Sequence, residues 1–267
     1  MTVEANSRPV VSAEQRERYE RDGYLVVDGV APAGTLDAIV AELGGLFAKQ
    51  PYEEGGVRYY RNRIQDAWRI NDHVKGLARS PAALALLEDL YGRRPLPFQT
   101  LNFLRGTQQA AHSDALHFNT MPEGFMCGVW VALEDIDMDN GPLVYYPGTH
   151  KLPYVRPADF GVEAKWENYP SYEHYVADLI EQQGLEPEYG TVKKGQAIVW
   201  AANLLHGGAT QGFFLKARLD VSLPGIDKDV ARTLVDAAHE ICPYSKAVHG
   251  NIEIETNVVD NVQLNAA

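Results

Sequence analysis

The second half of the chain consists of short hydrophobic runs, and this pattern constrains the fold more than any other feature. From residue 95 onward, apolar, aromatic or β-branched runs are separated by Gly, Pro and Asn. The clearest of them read FQTLNFL, FMCGVWVALED, PLVYYPG, QAIVWAA and ARLDVSLPG. Short runs between turn residues are typical of strands in an antiparallel β-sandwich or barrel. We therefore predict a mainly β core.

The first third of the chain carries helical patterns instead. Ser12 begins a capping box, Ser-Ala-Glu-Gln, and helix formers follow as far as Gly23. YLVVDGV (24–30) then predicts a strand. A hydrophobic stripe at helical spacing predicts a second helix, with Leu36, Ile39, Val40, Leu43 and Phe47 on its inner side. The Ser-Pro pair at 80–81 starts a further helix.

We predict one α+β domain, because 267 residues with 45% hydrophobic side chains can bury one substantial core. Residues 1–94 form a helical support, 95–235 the β core and 236–267 a C-terminal extension without an assigned role. An aromatic-rich insertion, 151–190, contains a helix in SYEHYVADLIEQQG. Two interpretations of this insertion stay open: it packs on the core, or it forms a lid that excludes water from a substrate.

Charge and composition exclude several partners. The net charge of −12 argues against nucleic acid as the main partner, because binding a phosphate backbone requires many Lys and Arg. No run approaches the roughly 20 apolar residues of a membrane span, and we expect neither a membrane partner nor a signal peptide. Cys127 and Cys242 are too few for a disulfide scaffold, so we expect reduced thiols and a cytoplasmic protein. The oligomeric state is not predicted.

AHSDALHFNT (111–120) is the first stretch that indicates chemistry. On a strand, His112 and Asp114 point to the same face and can reach one metal ion. The alternative is a surface pair. His206, at the end of an apolar run and before Gly-Gly, would lie at the mouth of a β-sandwich. Two His and one carboxylate on one side of an ion form the facial triad of non-haem Fe(II) oxygenases, which leaves positions open for a 2-oxo acid and O₂.

Arg218 follows His206 by twelve residues, in FFLKARLDVSL. If the intervening loop turns back into the next strand, the guanidinium can enter the same cavity. It would then pair bidentately with the distal carboxylate of 2-oxoglutarate. The alternative is an ordinary exposed arginine on a strand.

The chain resembles the phytanoyl-CoA dioxygenase family of Fe(II)/2-oxoglutarate oxygenases. The resemblance rests on ERYERDGYLVVDGV, HSD, WVALEDIDMDNGPLVYYPGTHK and KKGQAIVWAANLLHGG. It implies a double-stranded β-helix (a cupin-like jelly roll) with flanking N-terminal helices. It also implies that iron is bound by His112, Asp114 and His206, and that 2-oxoglutarate is anchored by Arg218. Members often place an amide near the cosubstrate, which makes Gln99 a candidate, and Asn102 is a further one.

The resemblance also carries an expected reaction. In halogenating relatives a small residue replaces the carboxylate, so Asp114 indicates hydroxylation, or another oxidation, of an unactivated C–H. We expect a small-molecule substrate of secondary metabolism, with release of succinate and CO₂. Gly208 stands where many relatives have Ser, and LDVSLPGI lacks the His-Tyr pair that follows the arginine in some of them. The substrate side of the pocket is therefore expected to differ.

Three residues are candidates for substrate contacts: His117, Arg61 and Trp130. His117 is five positions past His112, so on a continuous strand it would face away, and loop structure is its alternative. Arg61 could meet an anionic substrate or pair with surface acids. Two other functions stay open for the chain: a non-catalytic β-sandwich that binds a small ligand, and a hydrolase with another divalent ion, which would need a nearby general base.

Overall fold

A computed structural model describes most of the chain. The described residues are 10–32, 34–47, 52–60, 62–118, 120–163, 165–209, 216–241 and 253–259. They divide into two compact units, Met1–Gly212 and Phe213–Ala267.

The larger unit combines helices and short strands. Its described helices are α1 (Ala13–Asp22), α2 (Thr35–Leu43), α3 (Asp72–Ala78), α4 (Pro81–Tyr91) and α5 (Tyr169–Gln183). Its strands are β1 (Tyr24–Val27), β2 (Tyr52–Glu54), β3 (Val57–Tyr60), β4 (Arg63–Gln65), β5 (Leu101–Phe103), β6 (Cys127–Val131), β7 (Leu143–Tyr145), β8 (Glu188–Tyr189), β9 (Ala197–Ala201) and β10 (His206–Gly208). None of the described helices is both long and apolar enough to cross a membrane.

Two antiparallel sheets enclose the core of this unit. One has the strand order β1-β9-β6 and the other β10-β7-β8. A buried cluster joins them, since Ile198 of β9 and Tyr145 of β7 belong to it together with Ala132, Val192 and Leu204. Two antiparallel sheets packed face to face, with helices beside them, confirm the predicted α+β class and its double-stranded β-helix core. A four-stranded sheet, β2-β3-β4-β5, lies in the same unit.

The N-terminal segment is built into the core as well as supporting it. The Ser12 side chain accepts a hydrogen bond from the Gln15 N–H at 3.1 Å, which completes the predicted capping box of α1. Gly23 ends this helix with φ 84°, and a Cβ there would lie 2.3 Å from Nδ1 of His150. Directly afterwards β1 pairs with β9. The first 94 residues therefore contribute a strand to the core sheet.

Local differences from the sequence predictions have simple causes. Val40 was expected on the inner stripe of α2 but is 53% exposed, because the helix buries a narrower stripe centred on Ile39 and Leu43. Strands β2 to β4 were not predicted. In β3, Val57 and Tyr59 are buried while their neighbours are exposed, which is the alternation of a half-buried strand.

The smaller unit contains β11 (Lys216–Val221), α6 (Lys228–Ile241) and β12 (Glu253–Val258). Strands β11 and β12 pair in parallel, and Arg218 is opposite Glu255 in this register. Arg218 therefore lies on a strand, as predicted, but its side chain is outside the described part of the structure. The thiol of Cys127, in the larger unit, is free, and Cys242 lies outside the described residues.

Candidate metal centre

His112, Asp114 and His206 come together in the larger unit. Each offers one ligand atom, and these three atoms lie within 4.8 Å of one another. Nε2 of His112 is 3.8 Å from Oδ1 of Asp114, and Nε2 of His206 is 3.6 Å from Oδ2. Donors that each lie about 2.0–2.2 Å from one ion can be at most about 4.4 Å apart. The three side chains therefore need only small shifts to share an ion.

The two histidines are directly opposite each other on the backbone. The His112 N–H donates to the His206 carbonyl at 2.8 Å, and the His206 N–H donates back at 2.9 Å. This isolated antiparallel bridge places the imidazole centroids 4.5 Å apart. Such a hydrogen-bonded pair holds its Cα atoms about 5.5 Å apart. Two hydrogen bonds thus join residues that are far apart in sequence.

The structure corrects the predicted way in which the triad forms. His112 and Asp114 do not share a strand, because Asp114 begins a 3₁₀ turn, Asp114–Leu116, immediately after the bridge. Nor is His206 at the end of the preceding apolar strand: β9 ends at Ala201, and His206 begins β10 in the opposite sheet. The turn after one histidine and the sheet crossing before the other bring the three side chains together.

The ring nitrogens of both histidines are oriented by backbone carbonyls. Nδ1 of His112 is 2.9 Å from the Ala110 carbonyl, and Nδ1 of His206 is 2.9 Å from the Leu204 carbonyl. A carbonyl only accepts, so Nδ1 carries the proton and Nε2 keeps a lone pair for a metal ion. Burial, and then the neighbouring His206, lower the pKa of His112 to about 4. This ring is therefore neutral at physiological pH.

Ser113 connects the ligand segment, residues 112–114, to the aromatic insertion. Its N–H donates to the hydroxyl of Tyr172 at 2.7 Å, and its hydroxyl donates to the Ala202 carbonyl at 3.1 Å. Tyr172, on α5, is only 1% exposed and packs with Val176 and Leu205. The helix of the insertion thus packs on the ligand segment, which supports the first of the two interpretations. The lid stays a prediction.

Replacing Tyr172 with phenylalanine is expected to leave the buried Ser113 N–H without its acceptor. An unsatisfied buried donor costs about 1–3 kcal/mol. Each kcal/mol corresponds to a fall in Tm of about 2–4 °C for a domain of this size. Thermal unfolding of the metal-free protein measures the loss. Tyr175→Phe, on the same helix and half-buried, is the matched control, and an equal Tm in the two variants would contradict this role.

The amide candidates lie near β5. Gln99 precedes this strand and is half-buried. Asn102 lies within it, opposite Ile64, and its buried Oδ1 has no hydrogen-bond partner among the described residues. Both amides are in the same unit as the triad. Their roles toward a cosubstrate stay predictions.

The candidate substrate residues have different environments. His117 follows the 3₁₀ turn, is exposed, and its ring lies 5.4 Å from that of Tyr169. Trp130 is opposite Ile198 and packs against the cluster between the two sheets. Arg61 is outside the described residues. Of the two described candidates, His117 is at the surface and Trp130 is half-buried.

The sequence predictions missed Trp200 as a neighbour of the triad. Its Nε1–H donates to Oδ2 of Asp114 at 3.2 Å, and its ring centroid is 4.9 Å from that of His206. A signal was present on another strand: Gly128 interrupts the run FMCGVWV. Glycine inside a strand often marks a place where another group approaches closely.

Comparison with known proteins gives consistent matches. The family model for phytanoyl-CoA dioxygenase (PhyH) matches residues 19–211. The peroxisomal phytanoyl-CoA dioxygenase of Rattus norvegicus is 26% identical over 237 residues, which cover 76% of this chain and 66% of the rat protein. This chain thus spans just under two thirds of that relative's length.

Solved structures share the fold. The non-haem α-ketoglutarate-dependent epimerase SnoN of nogalamycin biosynthesis is 25% identical with a TM-score of 0.53, over 74% of this chain and 76% of SnoN. EctD of S. alaskensis, solved with 2-oxoglutarate and 5-hydroxyectoine, is 22% identical with a TM-score of 0.56, over 78% of this chain and 72% of EctD. The second likeness bears on the fold alone.

Proposed function

The chain belongs to the phytanoyl-CoA dioxygenase family, and we propose on this basis that it is an Fe(II)- and 2-oxoglutarate-dependent oxygenase of a small molecule. The observation that carries the proposal is the convergence of two imidazoles and one carboxylate, whose ligand atoms lie within 4.8 Å of one another. This donor set is the facial triad of non-haem Fe(II) oxygenases. We assign iron binding to His112, Asp114 and His206.

The surroundings of the triad fit a bound iron. Both histidines are 6% exposed, and both Nδ1–H groups are satisfied by carbonyls, so only Nε2 is left to bind a metal. The carboxylate of Asp114 supplies negative charge that offsets part of the charge of a divalent ion. When bound, iron and 2-oxoglutarate supply the activation of O₂ that oxidises a C–H bond and releases succinate and CO₂.

The remaining roles belong to side chains that bind and orient. Arg218 is the proposed partner of the distal carboxylate of 2-oxoglutarate, because a guanidinium pairs bidentately with a carboxylate. Gln99 and Asn102 are the proposed amide donors toward the same cosubstrate. His117, Arg61 and Trp130 are proposed substrate contacts, and the exposure of His117 suits that role best. Tyr172 holds the ligand segment in place through Ser113.

We propose hydroxylation as the reaction, on a substrate of secondary metabolism. Asp114 keeps the carboxylate that halogenating relatives lack, which supports oxygen transfer over halogenation. SnoN, at 25% identity, acts in nogalamycin biosynthesis, and this supports a metabolite of a similar kind. SnoN is an epimerase, so the product must be identified chemically.

The test is the formation of succinate from 2-oxoglutarate by the purified chain. We expect slow turnover without added substrate, and it should require Fe(II) and O₂. His112→Ala is the paired variant, since the structure places its Nε2 in the triad. The proposal would be contradicted if the iron-loaded wild type formed succinate no faster than the metal-free protein. That result would favour a ligand-binding module, whose binding would survive in His112→Ala.

A further inference from the structure

We propose that Trp200 is a positioning residue for Asp114 and that Gly128 provides the space for its indole ring. The inference deepens the proposed function and rests on it, because the carboxylate concerned is a ligand of the same metal centre. Trp200 touches Asp114 and His206, whereas Gly128 acts only through Trp200.

The indole of Trp200 contacts two members of the triad at once. Its Nε1–H donates to Oδ2 of Asp114 at 3.2 Å, which is a hydrogen bond to a charged acceptor. Its ring is tilted by 47° against the imidazole of His206, with 4.9 Å between centroids. A half-buried tryptophan, the last residue but one of β9, therefore borders the centre on the side of the carboxylate.

Gly128 explains how so large a ring fits there. In the sheet, Gly128 of β6 is directly opposite Trp200 of β9, and paired residues point to the same face. A Cβ at position 128 would lie 2.2 Å from Cζ2 and 2.3 Å from Cε2 of the indole. Both atoms belong to the ring itself. Any side chain at 128 would therefore displace the indole from its place beside Asp114.

The hydrogen bond matters because the backbone does not fix the rotation of the Asp114 carboxylate. The carbonyl of Asp114 accepts hydrogen bonds from the His117 and Phe118 N–H groups within the 3₁₀ turn, but these bonds hold the main chain and not the side chain. A carboxylate can bind an ion through one oxygen or through both. Binding through both would occupy a position that a bidentate 2-oxo acid or O₂ needs. By holding Oδ2, the indole N–H restrains the rotation of the carboxylate and keeps that position open.

The test compares two tryptophan-to-phenylalanine variants by anaerobic titration of the Fe(II)-loaded protein with 2-oxoglutarate, followed by the visible metal-to-ligand charge-transfer band. Trp200→Phe keeps an aromatic ring but removes the N–H. We expect about tenfold more 2-oxoglutarate at half-saturation, the scale on which outer-shell partners act, and a shifted band. Trp68→Phe is the control, because the buried Nε1 of Trp68 has no hydrogen-bond partner among the described residues.

Gly128→Ala provides a second route to the same conclusion, since it leaves Trp200 in the chain. We expect it to weaken 2-oxoglutarate binding in the same direction. In the double variant with Trp200→Phe it should add less than about twofold, because residues that act through one contact are not additive. Circular dichroism checks that each variant is folded.

The outcomes separate this inference from the proposed function. If the wild type shows the band, the role of Trp200 alone is overturned by two results together. These are a half-saturating 2-oxoglutarate concentration of Trp200→Phe within twofold of the wild-type value and an unshifted band in this variant. Full additivity of the two substitutions overturns the role of Gly128. A wild type without any band overturns the proposed function and, with it, this inference.

Discussion

Replacing His206 with alanine is expected to reduce Fe(II) affinity by more than about 100-fold. Loss of an outer-shell partner of a metal ligand typically costs 10–100-fold, so the loss of a ligand itself must cost at least as much. The fold should persist, because the backbone bridge between His112 and His206 uses no side-chain atoms. Equilibrium dialysis under anaerobic conditions, with iron quantified in each chamber, measures the change.

The matched control for this variant is His174→Ala. His174 lies on α5 and is exposed, so its removal should leave iron binding unchanged. Equal iron affinity in His206→Ala and His174→Ala would contradict the assignment of the triad. Loss of iron in both variants would indicate nonspecific binding to surface histidines.

Replacing Arg218 with alanine is expected to weaken 2-oxoglutarate binding by about 30-fold or more, while iron still binds. Removing one partner of a buried, hydrogen-bonded charge pair costs about 2–5 kcal/mol, and each 1.4 kcal/mol is a factor of ten in affinity. Arg218→Lys should recover only part of the loss, because an ammonium cannot form the bidentate pair. Anaerobic titration of the iron-loaded variants with 2-oxoglutarate gives both values.

Arg232→Ala controls for the loss of a positive charge in the same compact unit. Arg232 lies on α6, is half exposed, and forms an ion pair with Asp236 at 3.3 Å. Unchanged 2-oxoglutarate binding in Arg218→Ala would remove Arg218 from the site and leave the anchor unassigned. The rate of succinate formation at saturating 2-oxoglutarate, compared with that of the wild type, then shows whether Arg218 affects only the binding of 2-oxoglutarate.

The elements that the sequence predicted well are those with strong local signals. The capping box at Ser12, the Ser-Pro start of α4 and the end of α5 at the glycine of SYEHYVADLIEQQG all lie where the pattern placed them. Such signals depend on hydrogen bonds and backbone angles within one turn of helix. Helix α3 was not predicted, since a seven-residue helix that contains Gly76 has little periodicity to detect.

The members of the triad were predicted, but their geometry was not. Spacing along a strand suggested one face for His112 and Asp114, whereas a bridge and a 3₁₀ turn position them. The contact of His112 with His206 spans most of the β-rich segment, and no local rule specifies such a pairing. Residue type, spacing and order suggested the three residues, the resemblance to a family implied the same set, and the two backbone hydrogen bonds explain why the two histidines meet.

Trp200 shows what a single sequence hides even when a signal exists. Its partner Gly128 was visible as a glycine within one predicted strand and Trp200 lies in another, QAIVWAA, but the pairing of these two strands was not predicted. Register decides which side chain lies opposite a glycine, and register follows from the whole sheet. The same holds for Tyr172, whose hydroxyl reaches Ser113 only because α5 packs on the ligand segment.

The anaerobic titration of the iron-loaded wild type with 2-oxoglutarate tests the central claim most directly. A visible charge-transfer band requires iron and the cosubstrate to be bound at one centre. We predict a band that saturates with 2-oxoglutarate and is absent in Asp114→Ala. A folded protein that retains iron yet shows no band at any concentration would contradict the account of this chain as a 2-oxoglutarate-dependent oxygenase.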